Sequence, residues 1–135
     1  MKIVFFIMTM VIGTMMAVPS NAQTPTSGAA SVVLFYADWC GSCKILQPKL
    51  KQAMSNVKSS KINLVVLDMT DEESKAKASD LADKKVLSNI YQSYAPKTGM
   101  AILVDGKGKE VGKLKKNQSV ADMESALNAL DSGQS

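Results

Sequence analysis

Two cysteines, Cys40 and Cys43, are the only thiols in a chain of 135 residues that contains no histidine. They stand in the stretch FYADWCGSCKILQP, Phe35 to Pro48, separated by Gly41 and Ser42. A pair at this spacing can form half of a zinc site, a fixed cross-link, or a disulfide that opens and closes. Structural zinc takes four ligands, and the chain has no histidine or third cysteine to complete the set. A ring closed over two residues constrains the unfolded chain little, because the entropic gain of a disulfide grows with loop length. Redox exchange is therefore favoured over an inert staple.

The surroundings of the pair support this. SVVLFYA, from Ser31, is a short apolar run rich in β-branched and aromatic residues, the pattern of a fully buried strand. After the cysteines, Leu46, Leu50, Ala53, Met54 and Val57 recur at helical spacing, which predicts one helix running to about Val57. The cysteines thus fall where a strand ends and a helix begins. There the unpaired N–H groups and the positive end of the helix macrodipole favour thiolate over thiol. Cys40 is the expected nucleophile. Cys43, one turn on and facing inward, is the expected resolving thiol, with Gly41 and Ser42 permitting the tight turn.

The N-terminus has a different purpose. Lys2, an apolar run from Ile3 to about Ala17, and the small residues Ser20 and Ala22 have the layout of a secretory signal peptide cleaved after Ala22. The run is short against the ~20 residues of a spanning helix, which argues against an uncleaved anchor. Five of the nine methionines lie in it, so the methionine content reflects export rather than copper binding. Removing residues 1–22 takes away one charge, Lys2, and lowers the net charge from +4 to +3. The remaining lysines are scattered apart from KLKK at Lys113 to Lys116, with few aromatics among them, so no nucleic-acid footprint is present. QTPTSGAA, residues 23–30, is expected to be a flexible tether, and residues 31–131 a single domain.

Beyond the first helix, INLVVLDM predicts a second buried strand and Glu72 to Lys85 a helix with Ala78, Leu81 and Ala82 on its apolar side. VLSNIYQSY predicts a further helical turn or two. MAILVDGKGKEVGKL predicts two strands joined at Asp105-Gly106. Ser119, with Asp122 three residues on, predicts a capped final helix whose buried stripe is Val120, Met123, Leu127 and Leu130. A strand, helix and strand in this order make a right-handed parallel unit to which the hairpin adds antiparallel. The expected fold is α/β, a sheet of about four mixed strands with helices on both faces.

FYADWCGSCK, with Pro48 five residues after Cys43 and this order of elements, resembles the thioredoxin superfamily from about Ser31 to Leu130. The resemblance implies thiol–disulfide exchange through a mixed disulfide, with Cys40 attacking and Cys43 resolving. It implies Trp39, Gly41 and Ser42 on the surface facing the substrate and Pro48 as a kink in the first helix. The chain departs from the family in three ways. The segment before Ser31 is too short for the family's additional strand and helix, which implies a minimal four-stranded form. Leu34 and Val66 stand where thioredoxin itself has a buried aspartate and a lysine that assist the resolving thiol, so proton transfer at Cys43 must use water or be slow. Counting back from Asp105, Gly99, preceded by Thr98, falls where relatives carry a cis-proline opposite the cysteines. Pro96 lies three residues too early unless the loop is rearranged. A glycine there is expected to leave the sulfurs less shielded and the site wider, and Gly99→Pro is expected to fold.

The function expected is that of an exported thiol–disulfide oxidoreductase, periplasmic or secreted, acting on protein thiols and disulfides without a cofactor. Gly-Ser between the cysteines, lacking the histidine of strongly oxidising relatives, leans the expectation towards reductase. A membrane thiol carrier would then be the electron donor, with no membrane anchor left after cleavage and no nucleic acid involved. Two alternatives stay open: a soft-metal carrier holding Cu(I) between the two thiolates, with Met100 nearby, and an interaction module whose disulfide is incidental.

Overall fold

The structure is a computed structural model that describes residues 28–133. The signal segment, its cleavage point after Ala22 and the first part of the tether, through Ser27, lie outside the described residues. The elements in order are β1 (Ala30–Tyr36), α1 (Gly41–Val57), β2 (Ile62–Asp68), α2 (Glu72–Lys84), α3 (Ser88–Tyr94), β3 (Met100–Val104), β4 (Glu110–Lys115) and α4 (Val120–Asp131). One mixed sheet has the strand order β2-β1-β3-β4. β1 runs parallel to β2, with Leu34 opposite Val66, and antiparallel to β3, with Phe35 opposite Met100.

β1 is buried on both faces, which is why its sequence is continuously apolar rather than alternating. Val32 and Leu34 face α1 and α4 beside Leu46, Leu50, Met123 and Leu127. Val33 and Phe35 face α2 and α3 beside Ala78, Ala82 and Ile90, in the cluster that also holds both cysteines. All four are fully buried, and each such side chain contributes about 1.5–3 kcal/mol by leaving water. β4 is an edge strand with Leu114 buried between the exposed Lys113 and Lys115. The KLKK cluster therefore keeps a sheet edge polar, which discourages pairing with another chain.

The helix ends follow local chemistry. Ser119 Oγ accepts the Asp122 N–H while the Asp122 carboxylate accepts the Ser119 N–H, a complete capping box. The Ser119 side chain and then its backbone hold the Asp122 carboxyl below the usual carboxylate range. Asp71 caps α2 by accepting the Ser74 N–H at 2.7 Å. That backbone donor is the main reason its carboxyl also lies low.

The expected hairpin forms, its antiparallel strands joined through Asp105-Gly106 by a five-residue loop, 105–109. Asp105 Oδ1 accepts the N–H groups of Lys107 and Lys109, and Gly108, with φ 79°, takes the left-handed position. The end of the expected tether is also tied down. Ala30 already belongs to β1, and the Gly28 N–H donates to the Gly106 carbonyl at 2.8 Å. Among the described residues, no helix is long and apolar enough to cross a membrane.

Candidate active site

The site lies where β1 runs out. Ala37 is buried, Asp38 and Trp39 turn outward, and the Cys40 N–H returns to the Ala37 carbonyl at 3.1 Å. Cys40 is the N-cap of α1, with extended backbone, and its Sγ accepts the Cys43 N–H at 3.2 Å. The Cys43 N–H, which also meets the Cys40 carbonyl at 3.1 Å, thus points at the Cys40 sulfur, an arrangement that favours negative charge there. The two cysteines are joined as a disulfide with Cα atoms 5.3 Å apart. Cys40 keeps 7% of its surface exposed and Cys43 none, so only one sulfur meets a partner.

Cys43 Sγ lies 3.6 Å from the Phe35 carbonyl oxygen. In the disulfide no proton joins them. The same carbonyl accepts the Gly99 N–H at 3.0 Å, tying the loop before β3 to the strand end beside Cys43. Among the described residues no polar or charged side chain is buried. Leu34, fully buried, and Val66 are cross-strand neighbours, so this pair offers Cys43 no acid or base.

Trp39 is 64% exposed, which excludes a core-packing role, and its indole Nε1–H donates to the Thr70 carbonyl at 3.1 Å. The Asp38 N–H donates to Thr70 Oγ1 at 3.0 Å, and Thr70 is in turn held by Asp68, to which both its N–H and hydroxyl donate. The active-site turn is thereby strapped to the β2–α2 loop. Tyr36 joins this group by donating its hydroxyl to Asp38 Oδ1, and that bond, followed by burial and the Asp38 and Asp68 charges, raises its pKa. Asp68, Thr70 and Tyr36 went unnoticed in the sequence. The Asp-Met-Thr that ends and follows the second strand was the available signal, since a short polar pair there can brace a neighbouring turn.

Gly41 is exposed, whereas Ser42 and Thr98 are half-buried. Thr98 precedes Gly99, and among the described residues neither its N–H nor its carbonyl has a backbone partner. The cis X-Pro bond is Ala95–Pro96, three residues before the place directly opposite the cysteines. That place belongs to Gly99, immediately before β3. A β-carbon at 99 would stand 3.5 Å from Cys40 Sγ and 2.9 Å from Ser42 Cβ. Two expectations fail here. The site is not widened by the glycine, because the bare backbone closes in on Cys40 and Ser42. Nor does the position suit proline, since Gly99 has φ 84° and proline is fixed near −65°. As for metal ligands, the described residues contain no group of three or more histidine, cysteine, aspartate or glutamate side chains placed to hold an ion.

The family model for thioredoxin matches residues 21–84 of this chain. A protein disulfide-isomerase of Aspergillus oryzae is 51% identical over 39 residues, which make up 29% of this chain and 8% of that protein. The chain thus spans under a tenth of the length of this curated relative. Among solved structures, Trxlp from Edwardsiella tarda superposes with a TM-score of 0.53 at 20% identity, covering 76% of this chain and 85% of that one. The thioredoxin domain of a thiol-disulfide oxidoreductase from Bacteroides vulgatus gives 0.52 at 21% identity, covering 78% and 81%. At these identities the likeness is one of fold.

Proposed function

Since the chain is thioredoxin-like in its fold and in its Cys40–Cys43 pair, we propose that it exchanges disulfides with protein partners outside the cytoplasm, working mainly as a reductase. The observation that carries this reading is the asymmetry of the two sulfurs. Cys40 caps a helix, accepts an N–H and is the partly exposed one, while Cys43 is sealed behind it.

In the reducing direction the Cys40 thiolate attacks a partner disulfide. The partner's S–S bond breaks, a bond from Cys40 to one partner sulfur forms, and the other partner sulfur leaves as a thiolate. Cys43 then gives its proton to water and attacks Cys40 Sγ. The second partner thiolate departs, leaving the partner reduced by two electrons and this chain with its Cys40–Cys43 disulfide. Trp39, exposed one residue before Cys40, suits the flank of an extended partner segment laid across the cysteines. Turnover requires a thiol donor, and for an exported reductase a membrane thiol carrier fits.

Export rests on residues 1–22, and it predicts a mature N-terminus at Gln23, read by mass spectrometry of the exported protein; an intact Met1 would overturn it. The exchange reading is tested by reduction of insulin with dithiothreitol as donor. The protein should accelerate precipitation of the insulin chains, and Cys40→Ser should abolish the acceleration. A rate no better than dithiothreitol alone would overturn the reading, and stoichiometric Cu(I) uptake without exchange would favour the metal carrier.

A further inference from the structure

Two glycines flank Cys40, and the space beside them is opposite in character. At Gly41 an added β-carbon would meet nothing within 4 Å. At Gly99 it would stand 2.9 Å from Ser42 Cβ, 3.6 Å from Ser42 Oγ and 3.5 Å from Cys40 Sγ. Carbon atoms pack at about 3.5–4.0 Å, so the room a side chain at 99 would need is already taken by the β-carbon of Ser42. Gly99 is fixed in this place by its N–H bond to the Phe35 carbonyl and by a left-handed φ of 84°.

We propose that Gly99 and Ser42 form a matched steric pair that shuts the 96–99 side of Cys40, so that a partner sulfur reaches Cys40 only across Gly41. The pair thereby limits the bulk of the partner group that the site accepts. Its meaning for substrates rests on the exchange reading above, but the contact can be read from the Cys40 thiol alone. A β-carbon at 99 would come nearest to the β-carbon of Ser42 rather than to its hydroxyl, so Ser42→Ala preserves the closure and Ser42→Gly opens it. Gly99→Ala strikes that β-carbon, a clash Ser42→Gly removes, but the φ of 84° strains any side chain at 99 whatever stands at 42.

The test labels the reduced protein with small iodoacetamide and with bulky fluorescein maleimide, locating adducts at Cys40 by peptide mass. Ser42→Gly should raise the bulky-to-small rate ratio at Cys40 by about threefold or more, a coupling of the size expected between touching residues. Ser42→Ala should leave the ratio at its wild-type value. Gly41→Val, which builds into open space, should lower it. Equal ratios for Ser42→Gly and Ser42→Ala, or a ratio unchanged by Gly41→Val, would overturn the proposal. Labelling needs no partner protein, so a failure here is distinct from a failure of the exchange reading, which the insulin assay reports.

Discussion

Gly99 meets Cys40 with no side chain of its own between them: a β-carbon at 99 would lie 3.5 Å from Cys40 Sγ. The loop before β3 thus brings bare backbone to the Cys40 sulfur, and the φ of 84° that allows this is one L side chains rarely adopt.

The first expected outcome concerns that backbone. Gly99→Pro forces φ towards −65° and removes the N–H that binds the Phe35 carbonyl. It should destabilise the protein by more than about 1 kcal/mol in urea unfolding. Stability equal to wild type would mean that the left-handed conformation is not required.

A second outcome separates the thiols. With Cys43 fully buried and Cys40 receiving a helix N–H, iodoacetamide at neutral pH should modify Cys40 at least about tenfold faster. Peptide mapping after timed quenching measures this, and equal or inverted rates would reverse the assigned roles.

The resolving step should carry a pH signature. Leu34 and Val66 offer no base, so the Cys43 proton must go to water. Release from a mixed disulfide with a small thiol should therefore quicken by about tenfold per pH unit while Cys43 remains mostly protonated. A rate flat from pH 6 to 8 would reveal a base that the site does not show.

Acid stability should involve the last helix. Asp122 is held below its ordinary value in the fold. It therefore favours the folded state above the unfolded carboxyl range near pH 4, and the contribution fades as pH falls through the lower folded value. Asp122→Asn should lower stability at pH 7 and lessen its decline towards pH 3 in urea titrations. Separately, Ser119→Ala should cost about 1 kcal/mol at neutral pH.

Much of this architecture is legible in the sequence because it depends on local periodicity. The apolar run before Cys40 marks β1, the four-residue recurrence from Leu46 marks α1, and Ser119 with Asp122 marks the final cap. The location of Gly99 could also be counted back from Asp105. Its fit against Ser42 could not, because the contact joins residues far apart in the chain and depends on a backbone angle. The strap from Trp39 to Thr70 was hidden for the same reason, spanning 31 positions. Asp105-Gly106 marked the hairpin but not its loop length, which depends on Asp105 gathering the N–H groups of Lys107 and Lys109.

The most direct measurement is capture of the mixed disulfide. Cys43→Ser removes the resolving sulfur, so partner proteins should stay joined to Cys40 and appear as adducts on non-reducing gels that vanish on reduction. The Cys40→Ser, Cys43→Ser double variant should show none. Adducts that persist in the double variant, or their complete absence with Cys43→Ser alone when oxidised partners are supplied, would contradict exchange through Cys40.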